Sequence, residues 1–336
     1  MKTIAFFNNK GGVGKTTLVY HVAWMCAELG QRVLAVDLDP QANLTTMCLP
    51  EDRMETLWPE DGENRSILTC ISPIIDGLGD IASAPLQPIR SRLHLLPGDL
   101  GLSQFEDKLS DSWPRCLDGD KSAFRVITSF HRIIHAAAEE VDAEIVLMDV
   151  GPNLGAINRA SLIASDHVVM PLAPGLFSLQ GLRNLGPTLH AWRESWRQRL
   201  NAKPVDLNIP MPTGAMRPAG YVVMQHVDRL HRPVKAYQRW VSKIPEVYET
   251  FVLRRSTCVE TSENDKNRIG FIKNYQSLMP LAEDARKPIF KLTPADGAIG
   301  AHAAAVSSCY QDFLRLTQEI IRRTNDSDSN EARKIV

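Results

Sequence analysis

Residues 3–30 place a strong constraint on the fold of this 336-residue chain. The short apolar run TIAFF is followed by the loop NNKGGVGKTT, and then by a segment whose apolar residues recur at helical spacing as far as Gly30. Glycines let backbone N–H groups point into such a loop, and the N-terminus of the following helix adds partial positive charge. This order of strand, glycine-rich turn and helix predicts a phosphate-binding loop.

Four further apolar runs have the length of buried parallel strands, and helical patterns alternate with them. They occupy residues 32–38, 144–150, 167–171 and 220–226, and a helix is predicted over 122–140. The alternation predicts an α/β fold with a doubly wound, mostly parallel sheet flanked by helices.

The chain is predicted to form a single domain over residues 1–323. Prolines and polar residues interrupt the strand–helix rhythm at about 50–66 and 201–219, where we expect surface excursions. Residues 324–336 are polar and lack aromatic side chains, which predicts a disordered tail.

Composition limits the possible partners and compartments. The formal net charge is −1, so attraction to nucleic acid or to an acidic membrane has to come from a local patch. Six cysteines lie far apart without a C-x-x-C pair, which indicates reduced thiols. Neither a secretion signal nor an apolar run long enough to cross a membrane is evident, so we expect a cytoplasmic protein.

The loop contains the residue types that hold a nucleotide and its metal ion. Lys15 would reach the β and γ phosphates, and Thr16 would ligate magnesium, so ATP and Mg²⁺ are the expected cofactors. Asn9 occupies the first glycine position of the usual G-x-x-x-x-G-K-[ST] pattern, and Lys10 adds a second lysine. The residues expected to cradle the nucleotide are Gly11, Gly12, Val13, Gly14, Lys15, Thr16 and Thr17.

The segment KGGVGKTT, with its additional lysine, resembles the deviant Walker A motif of the ParA/MinD family of partition and positioning ATPases. LAVDLDPQANLT is similar to the second motif of that family, and IVLMDVGPNLG resembles its Walker B segment. The resemblance continues through LHLLPGDLGLSQFE and VVMPLAPGLFSLQGL, and more weakly through PLAEDARKPIF. It therefore spans roughly residues 1–320 and implies a P-loop ATPase of the deviant Walker A type.

Three aspartates receive roles in this comparison. Asp149 lies at the carboxyl end of a buried strand and is placed to hold magnesium directly or through water. The resemblance implies that Asp39 orients the attacking water and that Asp37 supports the magnesium shell. A helix cap or turn is the more common use of an aspartate after a strand, but the D-L-D-P-Q run favours function.

The resemblance also gives Lys10 a role. In relatives the additional lysine crosses a dimer interface and contacts the phosphates bound by the other subunit, so Lys10, Lys15 and Asp39 are the expected catalytic residues of an ATP-sandwich homodimer. Gln225 aligns roughly with an asparagine that contacts adenine in relatives. An ordinary glutamine at a strand end is the alternative interpretation of Gln225.

The segment RLHRPVKAYQRWVSK is basic and contains no acidic residue. Such a run is usually a solvated helix face, but in many family members basic residues near this part of the chain bind DNA nonspecifically. We expect salt-dependent DNA binding here, whereas residues 190–200 are expected to form a surface helix. The candidate DNA-binding residues are Arg229, Arg232, Lys235, Arg239 and Lys243.

The leading functional hypothesis is a ParA-like ATPase that positions or segregates DNA or another large cargo. It would form an ATP-dependent homodimer, bind nucleoid DNA nonspecifically, and release it through slow hydrolysis stimulated by a ParB-like or other adaptor protein. The chain begins almost at its first strand, so we expect no N-terminal helix-turn-helix extension.

Three alternatives remain: an ATP-dependent synthase, a regulatory ATPase switch that does not act on DNA, and a MinD-like membrane-associated ATPase. The apolar stripe near the C-terminus is followed by a polar tail, which favours a docked helix over a membrane anchor.

Overall fold

The computed structural model describes residues 1–62, 64–224, 234–255 and 265–332. The strands within these residues are β1 (Lys2–Phe6), β2 (Val33–Leu38), β3 (Gln87–Arg90), β4 (Leu93–Leu96), β5 (Ile145–Val150), β6 (His167–Leu172), β7 (Arg217–Met224) and β8 (Arg268–Ile272). The α-helices are α1 (Lys15–Glu28), α2 (Asn43–Cys48), α3 (Glu51–Leu57), α4 (Ile67–Ile75), α5 (Phe105–Arg115), α6 (Lys121–Ile127), α7 (Ser129–Glu140), α8 (Ala156–Ile163), α9 (Leu176–Asn201), α10 (Val234–Val241), α11 (Ile244–Val247), α12 (Met279–Ala285) and α13 (Ala301–Ala332).

The strands form one sheet in the order β3-β4-β2-β5-β1-β6-β7-β8. The pairing of β3 with β4 is antiparallel, and the other pairings are parallel. Because side chains alternate along β1, Ile4 and Phe6 pack in a core with α1 and α13. Ala5 and Phe7 pack in a second core with α7, α8 and α9 on the opposite face. The predicted doubly wound α/β fold is confirmed.

The five predicted strands are present with small shifts at their ends, but three others were not predicted. β3 is four residues long and contains Pro88, β4 is equally short, and β8 contains Gly270. Short strands, and strands that contain proline or glycine, show little alternation of apolar residues in the sequence. Here they form by pairing with neighbouring strands of the sheet. The single helix predicted over 122–140 is also wrong in detail, because Thr128 separates α6 from α7.

The two predicted surface excursions differ in structure. Residues 50–66 contain α3, whereas residues 202–216, between the end of α9 and the start of β7, contain no helix. Residues 324–332, predicted to be disordered, continue α13, since this helix contains neither glycine nor proline.

The apolar stripe of α13 faces the protein interior. Phe313, Leu316 and Ile320 are buried in the same core as α1, and the ring of Phe313 stacks on His21 at 4.7 Å between centroids. Among the described residues, no helix is both long enough and apolar enough to span a membrane.

Candidate active site

The glycine-rich loop connects β1 to α1 at the carboxyl edge of the sheet. Gly12 and Gly14 have φ values of 69° and 82°, in the left-handed region that favours glycine. A cavity of about 440 Å³, the phosphate cavity, opens over the loop. All seven loop residues predicted to cradle the nucleotide line it, together with Lys10, Asp39 and Pro152.

Lys15 joins two of the three motif aspartates. Its Nζ forms an ion pair with Oδ1 of Asp149 and lies 3.6 Å from Oδ2 of Asp39. The sheet order explains this meeting of distant segments, because β5 lies between β1 and β2 and all three strands run parallel. Asp37 is the register partner of Asp149 on the neighbouring strand.

Asp37 is fully buried and tightly held. Its Oδ2 accepts hydrogen bonds from the backbone N and the Oγ1 of Thr45, at 2.8 and 2.7 Å. A Cβ atom at position 98 would lie 2.8 Å from its Cγ, so Gly98 permits the close approach of the chain after β4. Burial, and then the negative charge of Asp149, raise the pKa of Asp37.

The site has the oxygen atoms that a magnesium ion requires. Oδ2 of Asp149 is buried and has no hydrogen-bond partner among the described residues. Burial raises the pKa of Asp149 despite the opposing effect of Lys15, so a further cation would stabilise the charged form. The carboxylates of Asp149 and Asp37 and the hydroxyl of Thr16 therefore fit Mg²⁺.

The backbone at Lys10 is fixed, whereas its ammonium group is available. Its backbone N donates to Oδ1 of Asn8 at 3.0 Å, and Nδ2 of Asn8 donates to the carbonyl of Pro171 at 2.6 Å. Within the described part of the chain, the half-buried Lys10 side chain has no ion-pair partner. The two loop lysines thus differ, since Lys15 is engaged within its own subunit and Lys10 is not.

A second cavity, of about 170 Å³, adjoins the loop along α1. It shares Val13, Gly14 and Thr17 with the phosphate cavity, and most of its other walls are apolar. Asn274 also lines it, and its buried Nδ2 has no hydrogen-bond partner among the described residues. This position makes it a candidate site for the nucleotide base.

Sequence reasoning missed Asn274 because it missed β8, the strand that precedes it. The apolar residues of RIGFI, followed by a polar turn, were the available signal. Gln225, the residue predicted to contact the base, lies outside the described residues, directly after Met224, which lines this cavity.

The predicted DNA-binding segment is described only in part. Arg229 and Arg232 lie outside the described residues, and Lys235 belongs to α10. Arg239 and Lys243 are exposed, with their charged groups 5.6 and 5.7 Å from the ring centroid of Trp240. These two cations form a small basic patch around one aromatic ring.

A phosphate-cradling loop whose lysine is balanced by carboxylates at the ends of adjacent strands defines the class as P-loop nucleoside triphosphatases. Residues 1–202 match the family model AAA_31, described as an AAA domain. The chain belongs to this family and is a ParA/MinD-type P-loop ATPase.

Individual relatives agree with this assignment. The chain is 30% identical over 186 residues to the virulence plasmid ParA family protein pGP5-D of Chlamydia psittaci, covering 55% of this chain and 62% of that protein. The crystal structure of protein DIP2308 from Corynebacterium diphtheriae is similar with a TM-score of 0.70 and 25% identity, covering 96% and 99% of the two chains. A putative plasmid partition protein from Borrelia burgdorferi, bound to AMPPNP, shares the fold with a TM-score of 0.56 and 16% identity, covering 96% and 98%.

Proposed function

We propose that this protein is a ParA-like positioning ATPase that acts as an ATP-sandwich dimer on nonspecific DNA. ATP binding would assemble the dimer and permit DNA binding, and hydrolysis would release both. The observation that carries this proposal is the pair of loop lysines, of which Lys15 is engaged within the subunit and Lys10 remains available at the cavity.

The residues of one subunit account for most of the hydrolytic site. Lys15 would exchange its carboxylate partners for the β and γ phosphates, while Asp39 would orient the attacking water. The backbone N of Gln41 donates to Oδ1 of Asp39 at 3.1 Å, which fixes that side chain. When bound, Mg²⁺ would neutralise phosphate charge, held by Thr16, Asp149 and Asp37.

Lys10 would complete the site of a second subunit. A cation supplied in trans to the transferred phosphoryl group contributes about a thousandfold or more in rate in comparable enzymes. This role explains why the loop holds the Lys10 backbone without giving its ammonium group a partner within the described chain.

Exposed apolar side chains flank the loop and support a dimer face. The loops after β5 and β6 lie on either side of the phosphate loop because these strands neighbour β1. Leu154, Leu176 and Phe177 are 39%, 57% and 74% exposed on these two segments. Covering them with a second subunit would add apolar burial to the lysine contact.

Nonspecific DNA binding is supported by the exposed cations Arg239 and Lys243 and by the family resemblance. Two copies of such a patch in a dimer would contact more phosphates than one copy, so DNA affinity should fall steeply with salt. The cargo would be DNA or another large assembly, and a ParB-like or other adaptor protein would stimulate hydrolysis at the nucleoid.

Sedimentation velocity of the Lys10→Ala variant tests this proposal. With ATP and Mg²⁺, the wild-type protein should sediment as a dimer and the variant as a monomer, while both bind ATP with affinities within about threefold, because Lys10 contacts only the partner's phosphates. Lys203→Ala, which removes a lysine beyond the C-terminal end of α9, is the matched control and should behave like the wild type. A variant that dimerises normally would refute the trans role.

A further inference from the structure

The chain from the end of β4 to the first turn of α5 contacts both Asp37 and the start of α8. At one end, Gly98 packs against the carboxyl group of Asp37. At the other end, Glu106 lies in the first turn of α5 and points to the start of α8. This segment therefore links the buried carboxylates to the helix that follows the loop after β5.

Glu106 caps α8 from a different element. One carboxylate oxygen accepts a hydrogen bond from the backbone N of Ala156, and the other accepts from the N of Ile157 at 2.9 Å. The helix has no capping side chain of its own, since its N-cap residue is Gly155. A Cβ atom at position 155 would lie 2.6 Å from Oε1 of Glu106, so this glycine permits the contact. A carboxylate at a helix N-terminus is favourable because it faces unpaired N–H groups and the positive end of the dipole.

The N-terminal half of α8 in turn holds the loop over the phosphate cavity. Nδ2 of the buried Asn158 donates to the carbonyls of Gly151 and Asn153, at 2.9 and 2.7 Å. A Cβ atom at Gly151 would lie 3.5 Å from Oδ1 of Asp39, and Pro152 lines the phosphate cavity. The position of α8 consequently sets the position of residues 151–155 beside Asp39.

We propose that Glu106 is a positioning residue for ATP hydrolysis. It does not line the phosphate cavity, but it holds α8 so that residues 151–155 close one side of that cavity against Asp39. Its removal should mainly slow the chemical step, because small displacements of water-orienting groups are costly in rate. ATP affinity should change little, since the backbone N–H groups and Lys15 of the loop remain. The inference rests on the proposed hydrolytic function.

The test compares Glu106→Ala and Glu106→Gln with a cap variant far from the site. Asp120 is the matched control, since its Oδ1 accepts from the backbone N of Ser122 and Ala123 at 2.8 and 3.2 Å and caps α6. Each variant is measured for kcat and KM in ATP hydrolysis, for thermal unfolding, and for amide hydrogen exchange of residues 151–157 with AMPPNP bound.

Glu106→Ala should lower kcat about tenfold with KM within about twofold, and should speed exchange at 151–157. Glu106→Gln should retain part of the rate, because an amide oxygen still accepts one of the two hydrogen bonds. Asp120→Ala should lower the unfolding temperature to a similar extent, but it should change neither kcat nor the amide exchange of residues 151–157.

Equal kcat values for Glu106→Ala and Asp120→Ala, or unchanged exchange at 151–157, would overturn the positioning role. A wild-type protein that does not hydrolyse ATP under any condition would instead contradict the proposed function, and the exchange measurement would still show whether Glu106 orders the loop.

Discussion

At the level of single residues, the site contains more buried acidic groups than buried basic groups. Lys15 is one buried cation that contacts two carboxylates, Asp149 and Asp39, while Asp37 lies on the adjacent strand with its own proton affinity raised. One cation does not offset three buried acidic groups, so the arrangement favours a bound metal ion. The same charge excess should lower the stability of the nucleotide-free protein.

Asp37→Asn should reveal this loss of stability, because the difference in free energy of unfolding between the variant and the wild type should depend on pH. The pKa of Asp37 is raised in the folded state, whereas an aspartate in the unfolded chain has the ordinary pKa of 3.8. Folded Asp37 therefore holds its proton more tightly. Ionisation therefore destabilises the folded state increasingly as the pH rises above about 4. Without nucleotide, the variant should exceed the wild type in free energy of unfolding by roughly 1 kcal/mol at pH 8, with a smaller difference at pH 5.

Urea unfolding at the two pH values, without magnesium, measures this difference. ATP hydrolysis by Asp37→Asn should fall at the same time, because the carboxylate that would support the metal is lost. A stability difference that is constant between pH 5 and pH 8 would show that the ionisation of Asp37 is not its cause.

At the level of elements, parallel strand ends explain why part of the site could be predicted from sequence. GGVGKTT and Asp39 follow strong apolar strands and Asp149 lies at the end of another, and parallel strands bring their carboxyl ends to one edge. The second cavity, the candidate site for the nucleotide base, could not be predicted in this way, since Asn274 follows the weak edge strand β8. The capping role of Glu106 depends on packing between α5 and α8, which local patterns do not show.

Asn274→Ala tests the element-level assignment of the base cavity. Asn274 lines a mostly apolar cavity and its buried Nδ2 has no hydrogen-bond partner among the described residues, so it could donate to a bound base; its loss should weaken ATP binding about tenfold by removing that hydrogen bond. Binding of inorganic tripolyphosphate should not change, because the phosphate loop is intact. Titration calorimetry with both ligands gives the comparison, with Asn201→Ala at the end of α9 as the control. Equal weakening for the two ligands would place Asn274 outside base recognition.

At the level of the whole molecule, the available lysine and the exposed apolar side chains lie on the same edge of the sheet. Lys10 is in the phosphate loop after β1, and Leu154 and Phe177 are in the segments after the two neighbouring strands. In a single subunit, Lys10 has no ion-pair partner within the described residues, and the apolar side chains remain exposed to solvent. The dimer proposed here would use both, and it would make hydrolysis depend on two copies of the chain.

Mixing two inactive variants tests this central claim most directly. Lys10→Ala lacks the lysine that would be donated in trans, and Asp39→Ala lacks the carboxylate that would orient the attacking water in its own site. In a mixed dimer, the site of the Lys10→Ala subunit keeps Asp39 and receives Lys10 from its partner. An equal mixture should therefore recover activity, with about a quarter of the wild-type ATPase rate as the value for random pairing, in which half of the dimers are mixed and each has one complete site. A mixture no more active than the separate variants would contradict the account.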